Sequence, residues 1–67
     1  MSGWIHIEAE ARGSFDFDDV TAGWTEREKQ LLRDGDDEAR AIARTEAAKL
    51  LLQGDGEHEV VSFRVDA

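Results

Sequence analysis

The sequence predicts an α+β fold, a small and mostly antiparallel sheet of two or three strands covered on one face by a short helix and a long one. Three observations carry this. Residues 36–53 repeat their apolar side chains at three- and four-residue spacing, the signature of one side of a helix. Trp4 to Ala11 alternates with a period of two, and Glu59 to Val65 does so again, as half-buried strands do. Strands at both ends with helices between them close into a sheet carrying its helices on one side.

In the first strand, 4–11, Ile5, Ile7, Ala9 and Ala11 share one face, and Trp4, His6, Glu8 and Glu10 share the other. Arg12-Gly13-Ser14 reads as a hairpin loop, because glycine and serine favour turns. Phe15-Asp16-Phe17 then alternates, giving a short second strand, 15–17, whose two rings join the face of Ile5 and Ile7, although Asp suits strands poorly. A helix begun at Asp18 or Asp19 would hold Gly23 inside it, at a cost of ~1 kcal/mol relative to Ala, so a later start is expected.

That start is Thr25-Glu26-Arg27-Glu28, which matches a capping box in which Thr25 and Glu28 satisfy each other's backbone amides. It opens a short helix, 26–33, with Leu31 and Leu32 inward and Trp24 packed over the first turn. Asp34-Gly35-Asp36 lets the chain turn. The long helix, 36–53, is rich in Ala and Leu and free of Gly and Pro. Asp36 or Asp37 caps its start and Gly54 is placed to close its end. Its length of ~27 Å matches the span of an eight-residue strand.

Ala39, Ile42, Ala43, Ala47, Leu50 and Leu51 line one side of this helix, while Ala41, Ala48 and Leu52 form a second strip. Glu46 lies between Ile42 and Leu50, near the middle of the apolar side. Either it meets a buried base such as Arg12 or Arg64, or the buried face is rotated towards Ala47 and Leu51, and the second strip favours the rotation. A helix apolar over so wide an arc is covered from more than one direction, by the short helix or by another subunit.

In the last strand, 59–65, Val61, Phe63 and Val65 point inward and Ser62 and Arg64 outward. With that strand beside the first, the order is 2-1-3. The open sheet face then carries Trp4, His6, Glu8, Glu10, Val60, Ser62 and Arg64.

Length and charge bound the function. Sixty-seven residues without an internal repeat make one domain, 1–67, with a modest core, so stability is expected to draw on close helix packing or on a partner chain. The absence of cysteine removes disulfides and thiolate metal sites. Sixteen acids against eight bases give a formal charge of −8, which repels nucleic acid and anionic membrane. No apolar run reaches the ~20 residues of a membrane span, and the N-terminus lacks a basic region followed by an apolar one; a cytoplasmic location is expected.

Chemistry-bearing residues are sparse. The acidic clusters 16–19 and 34–38 fail the calcium-loop pattern: counting from Asp34 the required Gly and Glu fall on Ala39 and Thr45, and from Asp16 on Thr21 and Arg27. They read as helix caps and solvated turns. His6 and His58 each stand beside acids, but general acid–base work or zinc binding would need the two to meet in one strand register. Ser2, Ser14 and Ser62 lack the glycines of a nucleophile elbow. No catalytic residue, cofactor site or metal site is therefore expected.

The reading is a non-enzymatic, acidic protein–protein interaction module, an accessory or regulatory protein acting as a homo-oligomer or within a complex. Its candidate contact residues are Trp4, His6, Val60 and Arg64 on the open sheet face, and Ala48 and Leu52 on the second helix strip. The alternative is an inhibitor that mimics nucleic acid and fills a basic groove. A minimal enzyme using His6 or His58 ranks last.

Overall fold

The computed structural model describes residues 3–53 and 59–67. The elements are β1 (Trp4–Glu8), β2 (Arg12–Asp16), α1 (Phe17–Val20), α2 (Glu26–Asp34), α3 (Asp37–Leu52) and β3 (Ser62–Asp66). The three strands form one antiparallel sheet in the order β2-β1-β3, the order that follows from the last strand lying beside the first. The helices cover one face, and the principal extents are 30 × 21 × 19 Å. No helix among the described residues is long and apolar enough to cross a membrane.

The core forms where Ile5 and Ile7, the inward pair of β1, meet Phe17 and Val20 of α1, Leu32 of α2, and Ala39, Ala43, Ala47 and Ala48 of α3. Phe15, Trp24, Leu51, Val60, Phe63 and Val65 pack around them. Burying each large apolar side chain is worth about 1.5–3 kcal/mol. That burial sets the register: Ile5 lies opposite both Phe15 and Val65, and Ile7 lies opposite both Gly13 and Phe63.

The hairpin turn sits earlier than its glycine suggests. Residues 9–11 make the bend, with the Ala9 amide donating to the Ala11 carbonyl at 2.9 Å, so β1 ends at Glu8. Arg12, Gly13 and Ser14 belong to β2, and Phe17 opens α1 instead of closing a strand. Gly13 is a packing position: a β carbon there would lie 2.6 Å from Leu51 Cδ1. A strand glycine of this kind marks a close approach by another element.

The helix-entry expectations from 25 onward match. Thr25 Oγ1 accepts from the Glu28 amide at 3.2 Å, and Glu28 Oε1 accepts from the Thr25 amide at 2.8 Å. Asp36 accepts from the Ala39 amide at 3.0 Å and starts α3. Gly35 closes α2 at φ 87°, a left-handed conformation that costs glycine nothing. At the far end of α3, Gln53 takes the left-handed cap position with φ 53°; Gly54 lies outside the described residues. The four-residue α1 begins early, capped by Asp16, whose carboxylate accepts from the Asp18 amide at 2.9 Å. It ends at the buried Thr21, whose hydroxyl donates to the Phe17 carbonyl at 2.8 Å.

The long helix is rotated as Glu46 requires. Ala43, Ala47 and Ala48 have no exposed surface, whereas Ile42 and Leu50 are 49% and 46% exposed. Glu46 meets neither Arg12 nor Arg64 and pairs with Lys49 at 3.4 Å. The second cover on α3 is α2, packed alongside it within the same chain. In β3, Val61 is also corrected: it precedes the strand and is 71% exposed, while Phe63 and Val65 face inward.

Candidate interaction surfaces

On the open sheet face, His6 sits centrally. Its Nδ1 is 2.7 Å from Ser14 Oγ on β2, and its Nε2 is 3.1 Å from Asp66 Oδ2 on β3. Arg64 Nη2 reaches the same Asp66 oxygen at 3.2 Å, and Arg12 Nε meets Glu8 Oε2 at 3.2 Å. One ring therefore ties all three strands together. Ser14, which sequence spacing set aside as a nucleophile, does meet a His that contacts an Asp.

The surroundings do not complete a hydrolytic site. Acyl transfer needs donors aimed at the developing oxyanion in a site that excludes water. Here the strand amides lie in the plane of the sheet and point between strands, while Ser14 and Asp66 are exposed to solvent above it. His58 lies outside the described residues. Among the described residues no group of three His, Asp or Glu side chains is disposed to hold a metal ion.

The candidate contact residues divide between surface and core. Trp4 is 53% exposed, Arg64 is exposed and His6 is half-buried, so all three lie on the open face. Val60 is half-buried, packs against the core and precedes the strand, which removes it from that face. Ala48 is a correction: it has no exposed surface and belongs to the core that holds α3 in place. Leu52 is half-buried at the end of α3. The second helix strip is thus split, with Ala48 inside, Leu52 at the margin and Ala41 in solvent.

A surface that the helical spacing does not reveal lies between α2 and α3. Trp24, Leu31, Ala39 and Ile42 line a groove of about 250 Å³, with Glu28, Asp36 and Glu38 along its edge. Leu31, expected inward with Leu32, is 40% exposed because Leu32 alone fills the buried row of α2. Ile42 is left out for the matching reason on α3, where alanines occupy the buried row. The available signal was surplus: α2 buries Leu32 and α3 buries a row of alanines, and the two helices cannot also bury every Leu and Ile they carry.

The groove is electrostatically one-signed. Its lining holds three carboxylates and no cationic side chain. The Thr25 backbone amide, and after it the Thr25 side chain, hold the Glu28 carboxyl below its ordinary value of 4.5, which keeps it charged. Comparison with protein-family models, with curated proteins and with solved structures finds no match for this chain.

Proposed function

We propose that this chain is a non-enzymatic protein-interaction module whose α2–α3 groove receives an amphipathic helix carrying Lys or Arg beside its apolar face. The observation that carries this is the pairing of exposed apolar side chains, Leu31 and Ile42 with half-buried Trp24, with the rim of Glu28, Asp36 and Glu38. A partner helix places anchors at i, i+3, i+4 and i+7 into such a groove, and tryptophan is a frequent anchor point. Basic residues flanking those anchors meet the rim, and the charge of −8 draws them in.

Size favours a peptide over a metabolite. Enclosed sites for small molecules occupy roughly 300–1,000 Å³. This groove is smaller and open along its length, which suits one row of side chains. The nucleic-acid-mimic reading has less support, because the acids are split between layers. Glu8 and Asp66 lie on the sheet face, paired with Arg12, His6 and Arg64, while Glu28, Asp36 and Glu38 lie among the helices.

The test is a titration with a synthetic helical peptide of Leu and Lys, Leu at helical spacing on one face, against the Trp4→Phe variant so that Trp24 alone reports. A saturable blue shift of Trp24 emission, lost in Ile42→Glu and weakened by salt, is the expected result. No saturable shift, or an equal response to the same peptide with Glu replacing Lys, overturns the proposal.

A further inference from the structure

The sheet has two edges, and they are not equivalent. The Phe17 amide donates to the Gly3 carbonyl at 2.8 Å, one step beyond the Trp4–Asp16 pair, which fixes the phase of the β1–β2 ladder. Opposite residues in an antiparallel pair alternate between bonded and non-bonded. Gly13 and Phe15 therefore bond to β1, while the amide and carbonyl of Arg12 and Ser14 point away from it. Among the described residues, neither Arg12 nor Ser14 makes a backbone hydrogen bond on that outer side.

On β3 the same phase turns the Phe63 carbonyl outward, and there it is occupied. Arg40 Nη2 donates to it at 3.3 Å, and the guanidinium lies over the Phe63 ring at 5.3 Å from the centroid. A two-fold pairing of β3 with itself about Arg64 would also set Arg64 against Arg64. Natural sheets close their edges with this kind of cation. The β2 edge also carries an exposed cation, Arg12, but among the described residues the outward groups of Arg12 and Ser14 have no backbone partner.

We infer that β2 is a self-pairing edge, and that two copies of this chain join β2 to β2 antiparallel about Ser14 to form one six-stranded sheet. The outward amide and carbonyl of Ser14 then bond reciprocally to those of Ser14 in the second copy. Arg12 of each copy stands opposite Asp16 of the other, on the same face. Arg12 pairs with Glu8 through Nε, and with 83% of its side chain exposed its outer nitrogens remain within reach of a second carboxylate. Asp16 keeps its bond to the Asp18 amide, since a cross-strand charge pair needs proximity and not an empty carboxylate. Gly13 lies opposite Phe15 of the second copy, with Leu51 and the Phe15 ring of its own chain already packed over it. A two-fold axis normal to the sheet keeps both sets of helices on one side.

The inference shares with the proposed function only the premise that the chain works by association, and it needs nothing of the groove. It is tested by light scattering coupled to size exclusion across micromolar to millimolar chain, with the parent 67-residue chain, an Arg12→Glu variant, an Arg64→Glu variant, and a synthetic chain N-methylated at the Ser14 amide. Expected are dimers for the parent chain and Arg64→Glu, and monomers for Arg12→Glu and the N-methylated chain, each with unchanged far-ultraviolet circular dichroism. A monomer at every concentration overturns the inference. So does a dimer that survives both Arg12→Glu and N-methylation, or one that dissociates in Arg64→Glu alone. Loss of the dimer with peptide binding intact separates this result from failure of the groove.

Discussion

Arg40 and Phe63 are joined twice, through a guanidinium hydrogen bond to the Phe63 carbonyl and through stacking over its ring. The contact ties α3 to the outer strand β3, which otherwise holds to the molecule mainly through β1. A cation–π contact at a partly exposed site and a hydrogen bond from a charged group add to about 2–4 kcal/mol. Arg40→Met keeps the apolar stem and removes both. It is expected to lower the urea midpoint by that order of stability and to raise turbidity on storage, since it uncovers the β3 edge.

Gly3 precedes β1 where the chain runs closest to β3. A β carbon at Gly3 would collide with the Asp66 carbonyl, which is backbone and cannot swing aside. Gly3→Ala is expected to cost about 1–3 kcal/mol, the usual range for overpacking. Thermal unfolding measures it. Gly13→Ala at the other edge is expected to cost less, because the obstacle there is the mobile end of Leu51.

The alanine row of α3 sets how close that helix lies to its neighbours. Ala43, Ala47 and Ala48 are fully buried, so a larger side chain has nowhere to go without moving the helix. Ala47→Leu is expected to destabilise by about 1–3 kcal/mol despite adding apolar surface. Leu50→Ala, on the exposed side of the same helix, should change the denaturation midpoint little.

Glu28 links the cap of α2 to pH. Its carboxyl is held below its ordinary value of 4.5 by the Thr25 amide and hydroxyl. A carboxyl depressed in the folded state contributes stability that is complete above the unfolded value and is lost as pH falls through the folded one. Stability should therefore decline below about pH 4.5 more gently in Glu28→Gln than in the parent chain, and Thr25→Ala, which keeps the amide and removes only the hydroxyl, should lose a smaller part of that pH dependence along with about 1 kcal/mol of capping. Urea unfolding at stepped pH checks both.

What was legible in the sequence was local. Thr25 and Glu28 are three residues apart and meet whenever a helix starts there, and Asp36 needs only its own following turn. Alternation in β1, and at Phe63 and Val65 of β3, marked the inward side chains, while the strand order depended on placing the last strand beside the first, which alternation does not dictate. What escaped depended on distant partners. Gly13 looked like a turn because its reason, Leu51 from α3, lies 38 positions away in the chain. Asp16 looked like a poor strand residue, and its carboxylate is in fact the cap of α1. Ile42 and Leu50 outweigh alanine on any hydrophobicity scale, yet the fully buried positions of α3 are alanines, and these two larger residues are about half-exposed. The groove exists because of that displacement, which is why no spacing rule pointed to it.

The central claim is that the α2–α3 groove is a docking site for a basic amphipathic helix. It is tested most directly by methyl and amide correlation spectra of the labelled protein titrated with the Leu–Lys peptide. The account predicts saturable shifts concentrated at the Trp24 indole, the Leu31 and Ile42 methyls and the Ala39 methyl, with His6, Arg64 and Trp4 on the far face unmoved. Shifts centred on the sheet face, or none at the groove at saturating peptide, would contradict it.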